Sequence, residues 1–334
     1  MIRYPRIGSG FSPFSPCYER FVTEGYRDRM DLMQQVEMAG KVKGLTGIAL
    51  DYPCQFTRKD LPAILDACRK QNQQVCTVEA GIYPDRKWKE GSISSPDHGV
   101  RKDALHICME TLDVAAEAGA SSILLWPGQD GFDYPFQADY GKAWRLLIDG
   151  IIEIASHRRD IRIGIEYKPK EPRTNLFVRN AGTLLYLLKT VNMDNVGGVI
   201  DFGHSLVAGE NPAEAAVLFA GEGKLFEVHL NDNYRDYDHD MMVGSVNFWE
   251  TVEFFYWLDK LGFDGWFLMD VFPYREDGLK ALQRSVNNTF ALMDIASELK
   301  CSGLEKFLEK RDAIGSSSIL WKNILKERGQ GELK

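Results

Sequence analysis

Four polar residues close four successive apolar runs: Glu166 after 161–165, Asp201 after 196–200, His229 near the end of 224–230, and Asp270 after 266–269. Three carboxylates and an imidazole brought to one place repel unless a cation neutralises them. Oxygen ligands with one or two nitrogens suit Mn²⁺, Mg²⁺ or Co²⁺ rather than a thiolate-seeking metal. Each residue singly has a plainer reading, since an aspartate at a strand end commonly caps the next helix. Four arriving in phase are hard to ascribe to capping. Two more groups extend the set. Asp201-Phe202-Gly203-His204 places an imidazole just beyond a strand-end acid, and Asp238-His239-Asp240 follows His229 in a polar loop. The Asp-x-Asp spacing matches many solvated loops, but with His204 nearby Asp238 and Asp240 are candidates for a second metal site. His239 should point the other way. His98, His106 and His157 fall on helices or at their starts and read as structural.

The most concentrated stretch is Glu166-Tyr167-Lys168-Pro169-Lys170-Glu171-Pro172-Arg173. Side chains at i and i+2 of an extended chain share a side, so Glu166 and Lys168 aim at one point. Pro169 and Pro172 hold the backbone extended and forbid a helix. By itself such a run is also what an ordinary solvated loop looks like.

These residues need elements that hold them together. β-branched and apolar runs at about 7, 47–53, 75–79, 122–128, 161–165, 196–201, 224–230 and 266–270 read as strands. Between them helical periodicity covers 30–38, 60–70, the stretch after Asp97, 144–155, 181–190, 212–220 and 248–261, with a last long helix over 279–299. Asp97 is an N-cap. Strands alternating with helices call for a parallel sheet. Eight such units without a domain-sized break suit a single (β/α)8 TIM barrel over residues 1–300, whose strand ends converge on one site. A doubly wound open sheet is the competing α/β fold, but no Gly-rich dinucleotide fingerprint follows any strand. Residues 301–334 form a C-terminal helical tail. Its apolar face (Leu304, Phe307, Leu308, then Ile319, Leu320, Trp321, Ile324, Leu325) must be covered by the barrel itself or by a second subunit, and we expect the second.

Composition bounds the possibilities. The 334 residues are 44% hydrophobic, enough for a sizeable core. No apolar run reaches the ~20 residues needed to span a bilayer, and the first residues lack an apolar h-region, so neither a membrane span nor a signal peptide is expected. Six scattered cysteines without a CxxC pair read as free thiols of a cytoplasmic protein. A net charge of -8 with no Lys/Arg run argues against nucleic acid.

The 166–173 stretch closely resembles the E-P-K-P-x-E-P-R motif of xylose isomerases. Trp88-Lys89-Glu90-Gly91, Val100-Arg101-Lys102-Asp103-Ala104-Leu105 and Trp126-Pro127-Gly128-Gln129-Asp130-Gly131 are similar to that family's FKDG, VRRYAL and WGGREG segments, in the same order. Later segments look more like L-rhamnose isomerase and its sugar isomerase/epimerase relatives: Asp201 to His204 resembles D-x-G-H, and 238–245 resembles DDDLTVGS. The likeness spans roughly residues 75–275. It implies two divalent cations, Mn²⁺ or else Mg²⁺ or Co²⁺: Glu166, Asp201, His229 and Asp270 around the first, and Asp201, His204, Asp238 and Asp240 around the second. It also implies that Lys168 stabilises negative charge on a sugar oxygen, that Asp238 shares in proton transfer, and that Trp88, Trp126, Glu171 and Arg173 line the substrate. Two positions depart from the pattern. Tyr167 replaces the first motif proline, and Asp51 stands near the place of a ring-handling histidine on the second strand.

The expected activity is therefore metal-dependent aldose–ketose isomerisation of a free monosaccharide by a C1–C2 hydride shift, in a homo-oligomer (dimer or tetramer). A ketose 3-epimerase is the nearest alternative; it would pass a proton between Glu166 and Asp270, the latter one methylene shorter than the usual glutamate. A sugar or cyclitol dehydratase, an endonuclease of the same barrel family and a non-catalytic, metal-loaded sugar-binding protein are further alternatives.

Overall fold

Short runs of mostly buried apolar residues build the inner wall. The computed structural model describes residues 5–18 and 20–325. Its strands are β1 (Arg6–Ser9), β2 (Gly47–Tyr52), β3 (Gln74–Ala80), β4 (Ser122–Leu125), β5 (Gly131–Phe132), β6 (Arg162–Glu166), β7 (Lys170–Glu171), β8 (Thr174–Leu176), β9 (Val196–Asp201), β10 (Leu225–Leu230) and β11 (Trp266–Met269). Eight of them close a parallel barrel in the order β1-β11-β10-β9-β6-β4-β3-β2. Ile7, Ile48, Val78, Ile123, Ile163, Ile200, Val228 and Phe267 are all fully buried. Burial on both sides is what a parallel strand under helices requires.

The helices are α1 (Leu32–Gly40), α2 (Leu61–Lys70), α3 (His98–Ala118), α4 (Tyr140–His157), α5 (Ala181–Val191), α6 (Phe202–Val207), α7 (Pro212–Gly221), α8 (Phe248–Leu261), α9 (Gly278–Cys301), α10 (Glu305–Glu309) and α11 (Ala313–Ile324). Their starts are written in the sequence. Asp31, Asp97, Asp139, Asn180, Asp201, Asn211 and Asp277 each accept backbone N–H bonds at an N-terminus. Capping of this kind satisfies donors that a helix start leaves free.

Two elements fall outside the sequence expectation. The proline-rich stretch after β6 is not a plain extended loop: β7 and β8 form a hairpin and, with β5, a small antiparallel sheet. α6 is a single short helix directly on the end of β9, where no helix was expected.

The tail also differs from expectation. α11 packs against α9 of its own chain, Leu304 is buried in the barrel's core cluster, and Leu308, Ile319 and Leu320 pack against that cluster. Trp321 meets Trp249 of α8 edge-on, with ring centroids 5.4 Å apart. Part of the face assigned to a second subunit is thus covered by the chain's own helices, because α9 ends close enough for two short turns to fold the chain back, while Trp321 and Leu325 stay exposed. Residues 326–334 of the tail lie outside the described residues. Among the described residues, no helix is long and apolar enough to cross a membrane. Cys54, Cys68, Cys76, Cys108 and Cys301 are free thiols.

Candidate metal and sugar site

The barrel's register brings the strand-end residues to one level. His229 of β10 stands beside Asp201 of β9. Leu230 pairs with Met269, and the next residue, Asp270, donates its N–H to the Leu230 carbonyl at 3.1 Å. Glu166 closes β6 beside Val199. One ligand atom from each of Glu166, Asp201, His229 and Asp270 lies within 4.8 Å of the others, and Asp201, His204 and Asp238 form a second such group.

The deep group is held from behind. Glu227 Oε1 is 2.9 Å from His229 Nε2, which leaves Nδ1 facing Glu166 Oε2 at 3.3 Å. Such a carboxylate behind an imidazole fixes its orientation and raises its basicity. Glu227 was not singled out from sequence, although it sits two residues before His229 on the same strand face. Asp201 meets the capping reading given to it. Its Oδ1 caps α6 through the His204 N–H at 2.7 Å, and its Oδ2 accepts from Asn231 Nδ2 at 2.9 Å. The D-x-G-H glycine has a steric cause: a Cβ on Gly203 would run into the side-chain amides of Asn231 and Asn233.

Charge in this pocket is finely divided. Burial alone would raise the Glu166 carboxyl, but His229 and His204 outweigh it and hold the group below the usual range. Burial lowers both imidazoles, and the surrounding carboxylates overcome it, Glu166 chiefly for His229 and Asp201 for His204, so both ring pKa values lie well above the ordinary value. Burial pushes Asp201 up to about 7 and raises Asp270 as well. A shared cation would relieve the repulsion and burial that raise Asp201 and Asp270. The donor set of two or three carboxylates with an imidazole fits a divalent cation. So does Asp238 Oδ1, a buried carboxylate oxygen with no hydrogen-bond partner.

The loop 231–247 positions the second group. Asp232 organises it, accepting from the N–H groups of Asn233, Val246 and Asn247 and from Asn247 Nδ2 at 2.6–3.0 Å. Asp238 Oδ2 lies 2.7 Å from Lys168 Nζ and 3.3 Å from His204 Nε2. Lys168 also pairs with Glu171 and lies over the Trp126 ring at 5.1 Å. Burial would lower the Lys168 ammonium, but Asp238 and Glu171 prevail and keep it charged. His239 turns away between Tyr234 and Tyr237, as expected.

Several expected site residues stand elsewhere. Asp240, expected around a second cation, is instead paired with Arg20 and accepts from Asn231 Nδ2 at 3.1 Å; it is absent from the group formed by Asp201, His204 and Asp238. The cause is a guanidinium from the N-terminal segment that had no sequence signal. Trp88 is 1% exposed within the apolar core, so its ring packs rather than presenting a face to substrate. Arg173 is 71% exposed on the β7–β8 hairpin, paired with Asp133 and stacked on Tyr134. Trp126 does border the polar cluster, and Tyr83, unnoticed in the sequence, meets it edge-on at 4.7 Å. Tyr83 also reaches Asp51 Oδ2 at 3.3 Å. Asp51 lies beside Glu79 in the β2–β3 pairing. Glu79, likewise unnoticed, is raised by burial and then by Asp51, Glu166 and Asp270, which places its charge in the same field.

A closed parallel barrel with ionisable side chains gathered at the carboxyl ends of its strands is the architecture of a TIM-barrel enzyme site. The Xylose isomerase-like TIM barrel family model matches residues 41–290, and the chain belongs to that family. Xylose isomerase of Thermus thermophilus is 29% identical over 234 residues, covering 67% of this chain and 60% of the relative. Xylose isomerase of Thermus caldophilus is 27% identical over the same shares. The match thus spans about 60% of the length of these curated relatives. Among solved structures, an L-ribulose 3-epimerase overlays with a TM-score of 0.70 at 14% identity, covering 88% of this chain and 96% of that one. D-psicose 3-epimerase from Clostridium cellulolyticum overlays at 0.67, with 14% identity and coverage of 86% and 99%. At these identities the likeness speaks for the fold alone.

Proposed function

We propose that the protein is an aldose–ketose isomerase acting on a free monosaccharide, dependent on a divalent cation held by Glu166, Asp201, His229 and Asp270. The observation that carries this reading is the buried, charged Lys168, set 2.7 Å from Asp238 and over Trp126 at the mouth of that cluster. When bound, a divalent cation supplies Lewis-acid polarisation of adjacent sugar oxygens. Lys168 donates to the carbonyl oxygen of the aldose and meets its developing negative charge, a preorganised electrostatic role. Asp238, held between Lys168 and His204, accepts the proton of the neighbouring hydroxyl. The hydrogen on C2 then passes with its electron pair to C1, and Lys168 returns a proton to the C1 oxygen. Trp126 and Tyr83 cover the C–H faces and keep water from the reacting carbons. Asp51 with Tyr83 handles the ring oxygen, in place of the missing histidine.

A ketose 3-epimerase is the second reading, favoured by the overlay on L-ribulose 3-epimerase and D-psicose 3-epimerase. It would need two carboxylates on opposite faces of C3. Glu166 and Asp270 instead converge on one point within 4.8 Å, which favours ligation over opposed proton transfer.

The test is proton NMR of four- to six-carbon aldoses and ketoses in D2O with Mn²⁺ and with chelator. Metal-dependent conversion without deuterium uptake at C1 or C2 is expected. Deuterium entering C3 of a ketose would replace this reading with the epimerase.

A further inference from the structure

Glu79 is a carboxylate at the lumen that the mechanism above does not use. Strict alternation along β3 would put it on the same side as Val75. Ile48 pairs with Val75 but Ala49 pairs with Thr77, so Cys76 is one extra residue in the strand. A bulge of this kind re-aims the side chains beyond it. Val75 and Val78 stay in the main core, Cys76 packs with Trp266 and Leu268, and Glu79 turns into the barrel. There it is half-buried and lies in the field of Glu166, Asp270 and His229. Asp51, its cross-strand partner on β2, points the same way.

The closed strand order puts β3 four places from β10 and β2 four places from β9, which is diametrically opposite in a ring of eight. Glu79 and Asp51 therefore stand across the lumen from His229 and Asp201. Among the described residues the Glu79 carboxylate has no hydrogen-bond or ion-pair partner. Asp51 accepts from Tyr83 at Oδ2, and its Oδ1 is buried with no hydrogen-bond partner. A sugar whose C1 and C2 lie at the metal cluster and Lys168 extends its remaining carbons toward this wall. Carboxylates accept from hydroxyls in charge-assisted hydrogen bonds. An anionic group in the same place would meet two carboxyl groups in a water-poor pocket, where like-charge repulsion is strong. We infer that Glu79 is a substrate-binding residue: with Asp51 it holds the hydroxyls at the sugar end remote from the metal cluster, and it restricts the substrate to sugars without phosphate or carboxylate at that end. This rests on the sugar-isomerase reading above.

The test is calorimetry of the full chain, loaded with Mn²⁺, against two open-chain probes: D-sorbitol and 1-amino-1-deoxy-D-sorbitol, which carries an ammonium group at one end. Neither has a carbonyl to isomerise, so the readout is binding alone. The wild-type chain is expected to bind the ammonium probe at least ~10-fold more tightly than sorbitol, because the cation repels ammonium and the carboxylate wall attracts it. Glu79→Gln combined with Asp51→Asn keeps the shape of the wall and removes its charge, and should bind the two probes within about threefold of each other. Glu79→Ala should weaken sorbitol about 10-fold, the loss of one hydrogen bond to a charged group. If Glu79→Ala fails to fold, Glu79→Gln is read in its place, with a loss of at least about threefold expected. Unchanged sorbitol affinity in the folded Glu79 variant overturns the inference. So does equal binding of both probes by the wild type, or an ammonium preference that survives in the folded double variant. Each of these leaves the sugar site standing. If neither probe binds any form, the sugar site falls together with the role of Glu79.

Discussion

Two carboxylate clusters lie side by side at the mouth of this barrel and differ in what neutralises them. The deep one, Glu166 with Asp201 and Asp270, sits on strand ends and has only imidazoles for company. The other, Asp238 and Asp240, sits on a loop and is matched by Lys168 and Arg20. Strand ends are fixed by the sheet and can hold ligands at constant spacing. A loop reaches outward and can collect cationic side chains from distant segments. In the proposed function the first cluster holds the metal ion and the second handles protons and charge.

The largest effect should come from the deep cluster. Glu166→Gln removes a ligand and the partner of both His204 and His229, so Mn²⁺ affinity and turnover should each fall by at least ~100-fold, read by calorimetry and by NMR conversion rates. Retained metal affinity would break the assignment. Lys168→Ala should lower kcat by roughly 10²–10³-fold with metal still bound, as removal of one preorganised transition-state donor does. A loss of metal with it would merge the two clusters into one.

Asp51 sharpens the boundary between the metal cluster and the wall opposite. Its ordinary carboxyl pKa of 3.8 is pushed up to about 6, chiefly by burial. Between those values the folded chain binds more protons than the unfolded one, so stability falls as pH rises from about 4 to about 6. Asp51→Asn removes that penalty. It should raise the melting temperature at pH 7.5, by on the order of 2 kcal/mol in stability, and leave it nearly unchanged at pH 4. Equal shifts at both values would mean that the gain is packing. The same variant should flatten the limb of kcat/KM near pH 6. The smallest effect is expected at the rim: Arg173→Ala breaks an exposed pair with Asp133 and should leave the melting temperature almost unchanged. A hundred-fold loss of kcat/KM there would return Arg173 to the substrate.

Most strands and helices could be read in order because apolar period and capping residues are local properties. β9 and α8 match the expected 196–201 and 248–261 spans. The β5–β8–β7 sheet could not be read, since its strands are two or three residues long and gain stability only by pairing across the chain. α6 was hidden for a related reason. Its start is a carboxylate that serves the site and the cap together.

The sequence by itself determined the barrel, the residues at its strand ends and the chemistry those residue types can perform, because strand alternation and side-chain type are written position by position. The tertiary structure alone decided which charges are neutralised and by what. Arg20 and Asp240 are 220 positions apart, and Glu79 and Glu166 lie on different strands. Electrostatic energy depends on separation in space and on burial, neither of which chain order records. The same dependence moved Trp88 into the core, left Arg173 in solvent, and folded the tail onto its own barrel.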